Sequence, residues 1–233
     1  MSKTCTLIDS KGGHFIVFGC DKMTLTNLTI SAPEQNRNTD GIKISHKIGI
    51  NITNVQIGTG DDCVAMISGI KKVGFRIHGI SVGRLGANDG ETDLEDIVVI
   101  NCTFNGTSNA LRIKTWAAPL NTTLNASSFV YYEDIVMNNV QNPTENSHVQ
   151  ISNVAYKNVR GTSATDNAVN FKCSEVRPYQ NITVEDINLW RYVGQKGLGN
   201  LSNFCSHVHG ASYGKQIPRF CIPLSATPRS AYN

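Results

Sequence analysis

Residues 23–30 read MTLTNLTI and residues 50–57 read INITNVQI, two runs in which side chains alternate in polarity around a central Asn. The pattern recurs as IVVINCTF (97–104), VYYEDIVM (130–137), VQISNVAY (149–156) and NITVEDINL (181–189). Alternation with a period of two is typical of a β-strand, because successive side chains point to opposite faces. These runs therefore predict strands, and no comparable stretch shows the helical period.

The spacing of the runs predicts how the strands are arranged. Their central Asn or Asp residues lie 27, 47, 33, 19 and 33 residues apart, mostly one or two multiples of the mid-twenties. A strand-bearing unit that repeats at this interval favours an all-β fold, a parallel β-helix of stacked coils. Asn at equivalent positions is expected to form a hydrogen-bonded ladder. The 19-residue step from Asp134 to Asn153 is too short for a coil, so a segment is expected to be missing there.

Composition supports strands and excludes several functions. Val, Ile and Thr total 59 residues, whereas Leu and Ala total 25, and β-branched residues favour strands. A net charge of +3 is far from the basic balance of nucleic-acid-binding proteins. No apolar run approaches the roughly 18 residues of a membrane span, and residues 1–13 contain no secretion signal. We therefore expect no nucleic-acid partner and no membrane association.

The repeat is lost beyond Trp190, where Gly, Ser and Pro become frequent. A β-helix needs its terminal coil covered, because an open strand edge invites aggregation. We therefore expect a single domain with coils over residues 1–190 and an irregular cap over residues 191–233.

Cysteines and glycosylation sequons give mixed signals. The seven cysteines are an odd number without a CxxC pair, so at least one thiol is unpaired and no zinc site is indicated. Eight Asn-x-Ser/Thr sequons fit a secreted glycoprotein. A repeat rich in Asn-x-Thr also generates sequons without any sugar, so we expect only a minority to be glycosylated.

Three carboxylates lie one repeat apart. Asp40 in NTDG precedes Asp61 and Asp62 in GDD by 21 and 22 residues. Stacked coils place such residues about 4.8 Å apart. Crowded carboxylates raise at least one pKa, which sets a proton donor beside a proton acceptor. Glycosidic-bond hydrolysis uses this pairing.

Candidate cations follow the carboxylates. His78 lies in IHGISVG, and Arg112 and Lys114 in LRIK share one strand face because they are two residues apart. Cations beside carboxylates suit an anionic substrate. Each motif alone is equally explained by a turn or a solvated strand face. The order in which the motifs occur together favours a site.

Two other motifs are interpreted as non-functional. Residues 79–83 (GISVG) match the nucleophile elbow of serine hydrolases, but the glycine-rich sequence that follows Ser81 does not form the required helix. His207 and His209 have no further ligands nearby in sequence and are expected at the surface, not at a metal.

The motifs NTDG (38–41), GDDC (60–63), HGISVGRLG (78–86) and RIKTW (112–116) resemble, in this order, those of plant-type polygalacturonases of glycoside hydrolase family twenty-eight. The resemblance implies a right-handed, single-stranded parallel β-helix of the pectin lyase-like kind. It further implies inverting hydrolysis of α-1,4 bonds in polygalacturonate (pectin), without a metal or other cofactor. A secreted monomer acting in the cell wall is the corresponding expectation.

The resemblance also implies roles for individual residues. Asp61 would be the general acid, Asp40 and Asp62 would activate water, and His78 would tune the protonation of the acid. The groups that would bind galacturonate are Asn38, Arg112 and Lys114, with Tyr156 the nearest candidate for a further contact.

The sequence departs from the family pattern in several places. The family carries GHG after a Cys-Gly-Pro lead, whereas Phe75, Arg76 and Ile77 precede His78 here. Cys63 has therefore lost its usual partner. Tyr179 replaces a cysteine and leaves Cys173 unpaired, while Cys205 and Cys221 remain as an expected pair. The leading coils and a segment near residues 142–148 are expected to be missing.

These departures leave an alternative open. A catalytically inactive pectin-binding or vestigial protein would keep the basic groove while a displaced His78 disables the acid. A pectate lyase is disfavoured, because that chemistry needs calcium ligands and an arginine base.

Overall fold

Parallel strands that return about every 25 residues build the protein, as a computed structural model shows. It describes residues 5–19, 21–33, 35–36, 38–67, 69–76, 80–85, 95–105, 110–115, 125–126, 130–140, 149–173, 175 and 177–225. The strands are β1 Cys5–Ile8, β2 Phe15–Phe18, β3 Asp21–Ser31, β4 Ile42–Ser45, β5 Lys47–Gly58, β6 Val64–Met66, β7 Ile70–Arg76, β8 Ile80–Leu85, β9 Glu95–Ile100, β10 Thr103–Asn105, β11 Leu111–Thr115, β12 Asn125–Ala126, β13 Val130–Val140, β14 Gln150–Ser163, β15 Asn167–Lys172, β16 Tyr179–Tyr192, β17 Leu198–Gly199, β18 Ser202–Ser206 and β19 Val208–Ile217. A 3-10 helix spans Gly194–Lys196, and within the described ranges no helix has the length and apolarity to cross a membrane.

Strands that are not consecutive in sequence pair in parallel, which makes the chain wind as a helix. One sheet runs β1-β3-β5-β7-β9-β13-β14-β16, and a second runs β2-β4-β6-β8-β11. Parallel crossover connections are right-handed in nearly all proteins. The fold is thus the right-handed parallel β-helix that the sequence predicted. All of the alternating runs lie in strands, with IVVINCTF divided between β9 and β10.

The core lies between the two sheets and follows from the alternation. In β4 and β6 the inward residues are fully buried: Ile42, Ile44, Val64 and Met66. In β5 the inward Ile50 and Ile52 are buried in the same cluster. Apolar residues at every second position therefore stack coil upon coil and bury a continuous column of aliphatic side chains.

The predicted polar ladder is present at the corners of the coils. Asn27, Asn54 and Asp134 all adopt positive φ, between 52° and 55°. Asn and Asp tolerate this left-handed conformation better than other residues that carry a side chain. Asn54 Nδ2 donates to Asn27 Oδ1, and Asn158 Nδ2 donates to Asp134 Oδ1 at 2.5 Å. Each corner thus bends one strand and hydrogen-bonds the next coil.

The short step in the repeat has another explanation than a missing segment. Asp134 is in register with Asn158, 24 residues later, because Glu133 pairs with Lys157 and Ile135 with Val159. Asn153 belongs to a second corner with positive φ, five residues earlier, and bonds Asn181 at 2.6 Å. The 19-residue step therefore compared two different corners, and the inference of a short coil was wrong. Residues 142–148 lie outside the described residues.

Coils continue beyond Trp190, where the sequence analysis expected a cap. Strand β18 pairs in parallel with β15, and β19 pairs in parallel with β16 up to Ile217. The low hydrophobic alternation of this coil hid it from pattern analysis. Cys205 and Cys221 form the expected disulfide. Cys63 and Cys173 are buried free thiols, as the departures at their partner positions predicted.

Candidate active site

The second sheet places the predicted carboxylates on adjacent coils. Asp40 lies two residues before β4, and Asp62 lies two residues before β6. The pairing of Ile42 with Val64 sets these two aspartates opposite one another. The Gly41 N–H donates to the Asp62 carbonyl at 3.0 Å, so the ladder already extends to the carboxylate-bearing segments.

Gly41 permits the close approach of these coils. A Cβ on this residue would lie 2.5 Å from Ile57 Cγ2 and 2.6 Å from the Cys63 carbonyl oxygen. Both distances are far below van der Waals contact, and the second involves main chain that cannot move aside. The glycine of NTDG is therefore required by packing between coils, and it fixes the spacing between Asp40 and Asp62.

Asp61 is exposed, and backbone N–H groups fix its carboxylate. Asn38 N–H donates to Oδ2 at 3.2 Å, and Asp62 N–H donates to Oδ1 at 2.8 Å. Asn38 has φ of 58°, and this left-handed turn aims its N–H at the carboxylate. Thr59 Oγ1 donates to the Asp61 carbonyl at 3.0 Å. The carboxylate is thus oriented while remaining open to solvent.

Asp40 has the raised pKa that carboxylate crowding predicted. Its residue exposure is only 8%, and burial is the largest cause of the raised pKa. The charge of Lys43 and its hydrogen bond oppose the shift, whereas the charges of Asp61 and Asp62 add smaller increases. Burial therefore contributes more than crowding. A carboxylate with a raised pKa is a stronger base towards water.

Two residues that contact Asp40 escaped the sequence analysis. Lys43 Nζ lies 3.2 Å from Asp40 Oδ2. His14 contacts the Asp40 carbonyl through its backbone N–H at 2.9 Å and through Nδ1 at 3.3 Å. Because His14 Nε2 accepts the Ser10 N–H at 3.2 Å, Nδ1 carries the proton and donates. His14 lies 26 residues before Asp40, and this one-coil spacing was the available signal.

Arg112 lies on the same outward face as Lys43. Strand register aligns Arg112 with Ser81, Ser81 with Ala65, and Ala65 with Lys43. Three strand spacings separate the two cations, about 14 Å. Lys114 is in β11, but its side chain is outside the described part, as is the whole of His78.

Ser81 lies within strand β8 and is 1% exposed, so it is not on an exposed strand-to-helix elbow. The interpretation of GISVG as a non-functional match agrees with this position. His207 and His209 are exposed, as expected. Within the described ranges, no group of three or more His, Cys, Asp or Glu side chains is arranged to hold a metal ion.

Tyr156 does not reach the groove, so its suggested substrate contact was wrong. Its ring stacks on Tyr132 at a centroid distance of 5.0 Å and lies 6.0 Å from Phe171. Burial raises the pKa of Tyr156. The side chain points inward because position 156 continues the inward alternation of Val154 in β14.

Comparison with known proteins follows this geometry. Residues 2–211 match the family model described as Glycosyl hydrolases family 28. A polygalacturonase of Brassica napus is 37% identical over 97% of this chain and 61% of its own length. An exopolygalacturonase of Platanus acerifolia is 35% identical over 94% of this chain and 62% of its own length. The chain thus spans about three fifths of these relatives.

Solved structures share the fold. An endo-xylogalacturonan hydrolase from Aspergillus tubingensis aligns with a TM-score of 0.62 at 18% identity, covering 97% of this chain and 69% of its own. A polygalacturonase from Erwinia carotovora aligns with a TM-score of 0.59 at 24% identity, covering 87% of this chain and 55% of its own. At these identities the likeness concerns the β-helix alone.

Proposed function

Since this chain belongs to glycosyl hydrolase family 28, we propose that it is a polygalacturonase that hydrolyses α-1,4 bonds of polygalacturonate in pectin, with inversion. The observation that carries the proposal is the placement of Asp40, Asp61 and Asp62 on adjacent coils, beside a sheet whose outer face bears Lys43 and Arg112. Carboxylates supply the acid and base, and the cations suit an anionic polymer.

The proposed roles follow the exposure of the carboxylates. Asp61, exposed and held by two N–H groups, donates a proton to the departing glycosidic oxygen. Asp40 and Asp62 take the proton of the attacking water, and the raised pKa of Asp40 suits a base. His78 tunes the protonation of Asp61. Arg112 and Lys114 bind galacturonate carboxylates, and Asn38 supports the subsite through the backbone.

The setting that fits this function is the plant cell wall, where the protein would act as a secreted monomer. The disulfide Cys205–Cys221 supports this location, because disulfides persist in oxidising compartments.

A silent pectin-binding protein is the second candidate. The observation in its favour is the sequence before His78, where Phe75, Arg76 and Ile77 replace the small residues of the family pattern. Bulky residues there would displace His78 while leaving the outer face of the sheet able to bind pectin.

Release of reducing ends from polygalacturonate tests the proposal. We expect turnover by the wild type, and loss of about 10²- to 10⁴-fold in Asp61→Asn, the range for general acid catalysis. Asp21→Asn, an exposed change at the start of β3, is the matched control. Binding of pectin without turnover by the wild type supports the silent form instead. An unsaturated product that absorbs ultraviolet light would indicate a lyase.

A further inference from the structure

The outer face of the second sheet carries two aligned rows of side chains. Because its five strands are parallel and in register, every second residue lies in a row that crosses the coils. The first row is Ile16, Lys43, Ala65, Ser81 and Arg112. The second row begins with Phe18 and Ser45. Ile67 continues that row, since its N–H donates to the Ile44 carbonyl.

The two ends of this face differ in chemistry. Ile16 and Phe18, here called the apolar strip, are each 68% exposed at the β2 end. The Phe18 ring contacts the His46 ring at a centroid distance of 5.4 Å. Arg112 occupies the β11 end, about 19 Å away across four strand spacings. Ala65 and Ser81 between the ends are small and buried, so they form a floor that leaves the row passable.

The apolar strip adjoins the proposed catalytic carboxylates. Ile16 is in register with Lys43, whose Nζ pairs with Asp40. One strand spacing, about 4.8 Å, separates the two coils. A polymer that lies across the coils with its reacting bond at Asp61 therefore places a neighbouring sugar over Ile16 and Phe18. The strip continues the proposed groove and is not a separate surface.

The strip disfavours a free carboxylate. Desolvating an ionised group against Ile16 and Phe18 is costly without a paired cation. Lys43 is engaged by Asp40, and His46 is occupied by the Ser45 hydroxyl at 2.7 Å and by the Phe18 ring. A methyl ester carries no charge and adds a methyl group that gains from contact with an isoleucine and an aromatic face.

We infer that the apolar strip is a subsite for a methyl-esterified galacturonate unit, so that the groove takes partly esterified pectin with a free carboxylate at Arg112 and an ester over Ile16 and Phe18. This inference rests on the proposed function and names the substrate class of the same groove.

The test compares kcat/KM on de-esterified polygalacturonate with kcat/KM on pectin of about half esterification. In Phe18→Ala we expect kcat/KM on the esterified pectin to fall about fourfold or more, the effect of losing one methyl-sized contact, with little change on polygalacturonate. Ile16→Lys is expected to shift preference towards polygalacturonate. Phe204→Ala, another exposed aromatic on β18, is the matched control. Equal losses on both substrates, or no loss, overturn the inference.

Two further measurements keep the outcome clear. Affinity electrophoresis in gels of either polymer reports ester preference without turnover, so a wild type that binds but does not hydrolyse refutes only the proposed function. Loss of ester preference in binding by the wild type refutes the subsite. Light scattering reports the alternative occupant, since a dimer that Ile16→Lys dissociates without changing ester preference identifies the strip as a contact between copies and overturns the inference.

Discussion

Lys43 Nζ lies 3.2 Å from Asp40 Oδ2, so a lysine pairs with a carboxylate that burial otherwise makes harder to ionise. The pair connects strand β4 to the segment that precedes it and places a positive charge beside the proposed base. Its consequence is a pH dependence that neither residue would show alone.

Replacing Lys43 by Met is expected to move the acidic limb of the kcat/KM profile to higher pH. Lys43 lowers the pKa of Asp40, so its removal leaves burial and the charges of Asp61 and Asp62 to raise that pKa further. The base must be ionised to act, and ionisation then needs a higher pH. Lys172→Met, an exposed change in β15, should leave the limb in place. A loss of kcat/KM that is equal at every pH would instead assign Lys43 to substrate binding.

Asp40→Asn is expected to reduce hydrolysis by about 10²- to 10⁴-fold and to stabilise the fold at neutral pH. The folded-state pKa of Asp40 is raised above 3.8, so the ionised carboxylate costs folding free energy at neutral pH. That cost declines as the pH falls through the folded-state pKa and vanishes below 3.8. Urea midpoints measured from neutral to acid pH check this, with Asp21→Asn as control. A neutral-pH midpoint below that of the wild type would contradict it.

Asn54→Ala is expected to lower the free energy of unfolding by about 2 kcal/mol. Alanine lacks the tolerance of Asn for φ of 52°, and it removes the hydrogen bond to Asn27. Urea denaturation followed by circular dichroism measures the change. Gln56→Ala, at an exposed position of β5, should stay within about 0.5 kcal/mol of the wild type. A loss as small in Asn54→Ala would show that the corner contributes little.

Cys63 is expected to resist alkylation in the native protein. Burial raises the pKa of its thiol to about 11, and the residue is 5% exposed, so little thiolate forms near about pH 8. Iodoacetamide followed by peptide mass spectrometry should find Cys63 modified only after unfolding in urea. Cys5, which is exposed and free, serves as the internal control. Native labelling of Cys63 at the rate of Cys5 would contradict the burial of this coil.

The sequence predicted the strands well, because alternation decides which face of a strand is buried. It misjudged the 19-residue step, because Asn occupies two corners of each coil and composition does not distinguish Asn153 from Asn158. The same ladder explains why Asn27 and Asn181 fall in sequons, since the repeat selects Asn for its tolerance of positive φ.

The site was predicted in part. Asp40, Asp61 and Asp62 were found because one coil separates them, and that spacing is visible in sequence. The Lys43 contact was not, because Asp40 lies outside the strand and the path of the chain between them is not set by alternation. Tyr156 was misassigned, because only the register of β14 shows which way its ring points.

Gly41 makes the gap between two carboxylates a property of the main chain. Its contact with the Cys63 carbonyl leaves no room for a side chain that could widen or narrow that gap. Evolution of this groove is therefore free to vary what the polymer touches along the rows, from Ile16 to Arg112, but not the span between Asp40 and Asp62. Substrate preference and reaction stereochemistry are, on this scaffold, separately heritable traits.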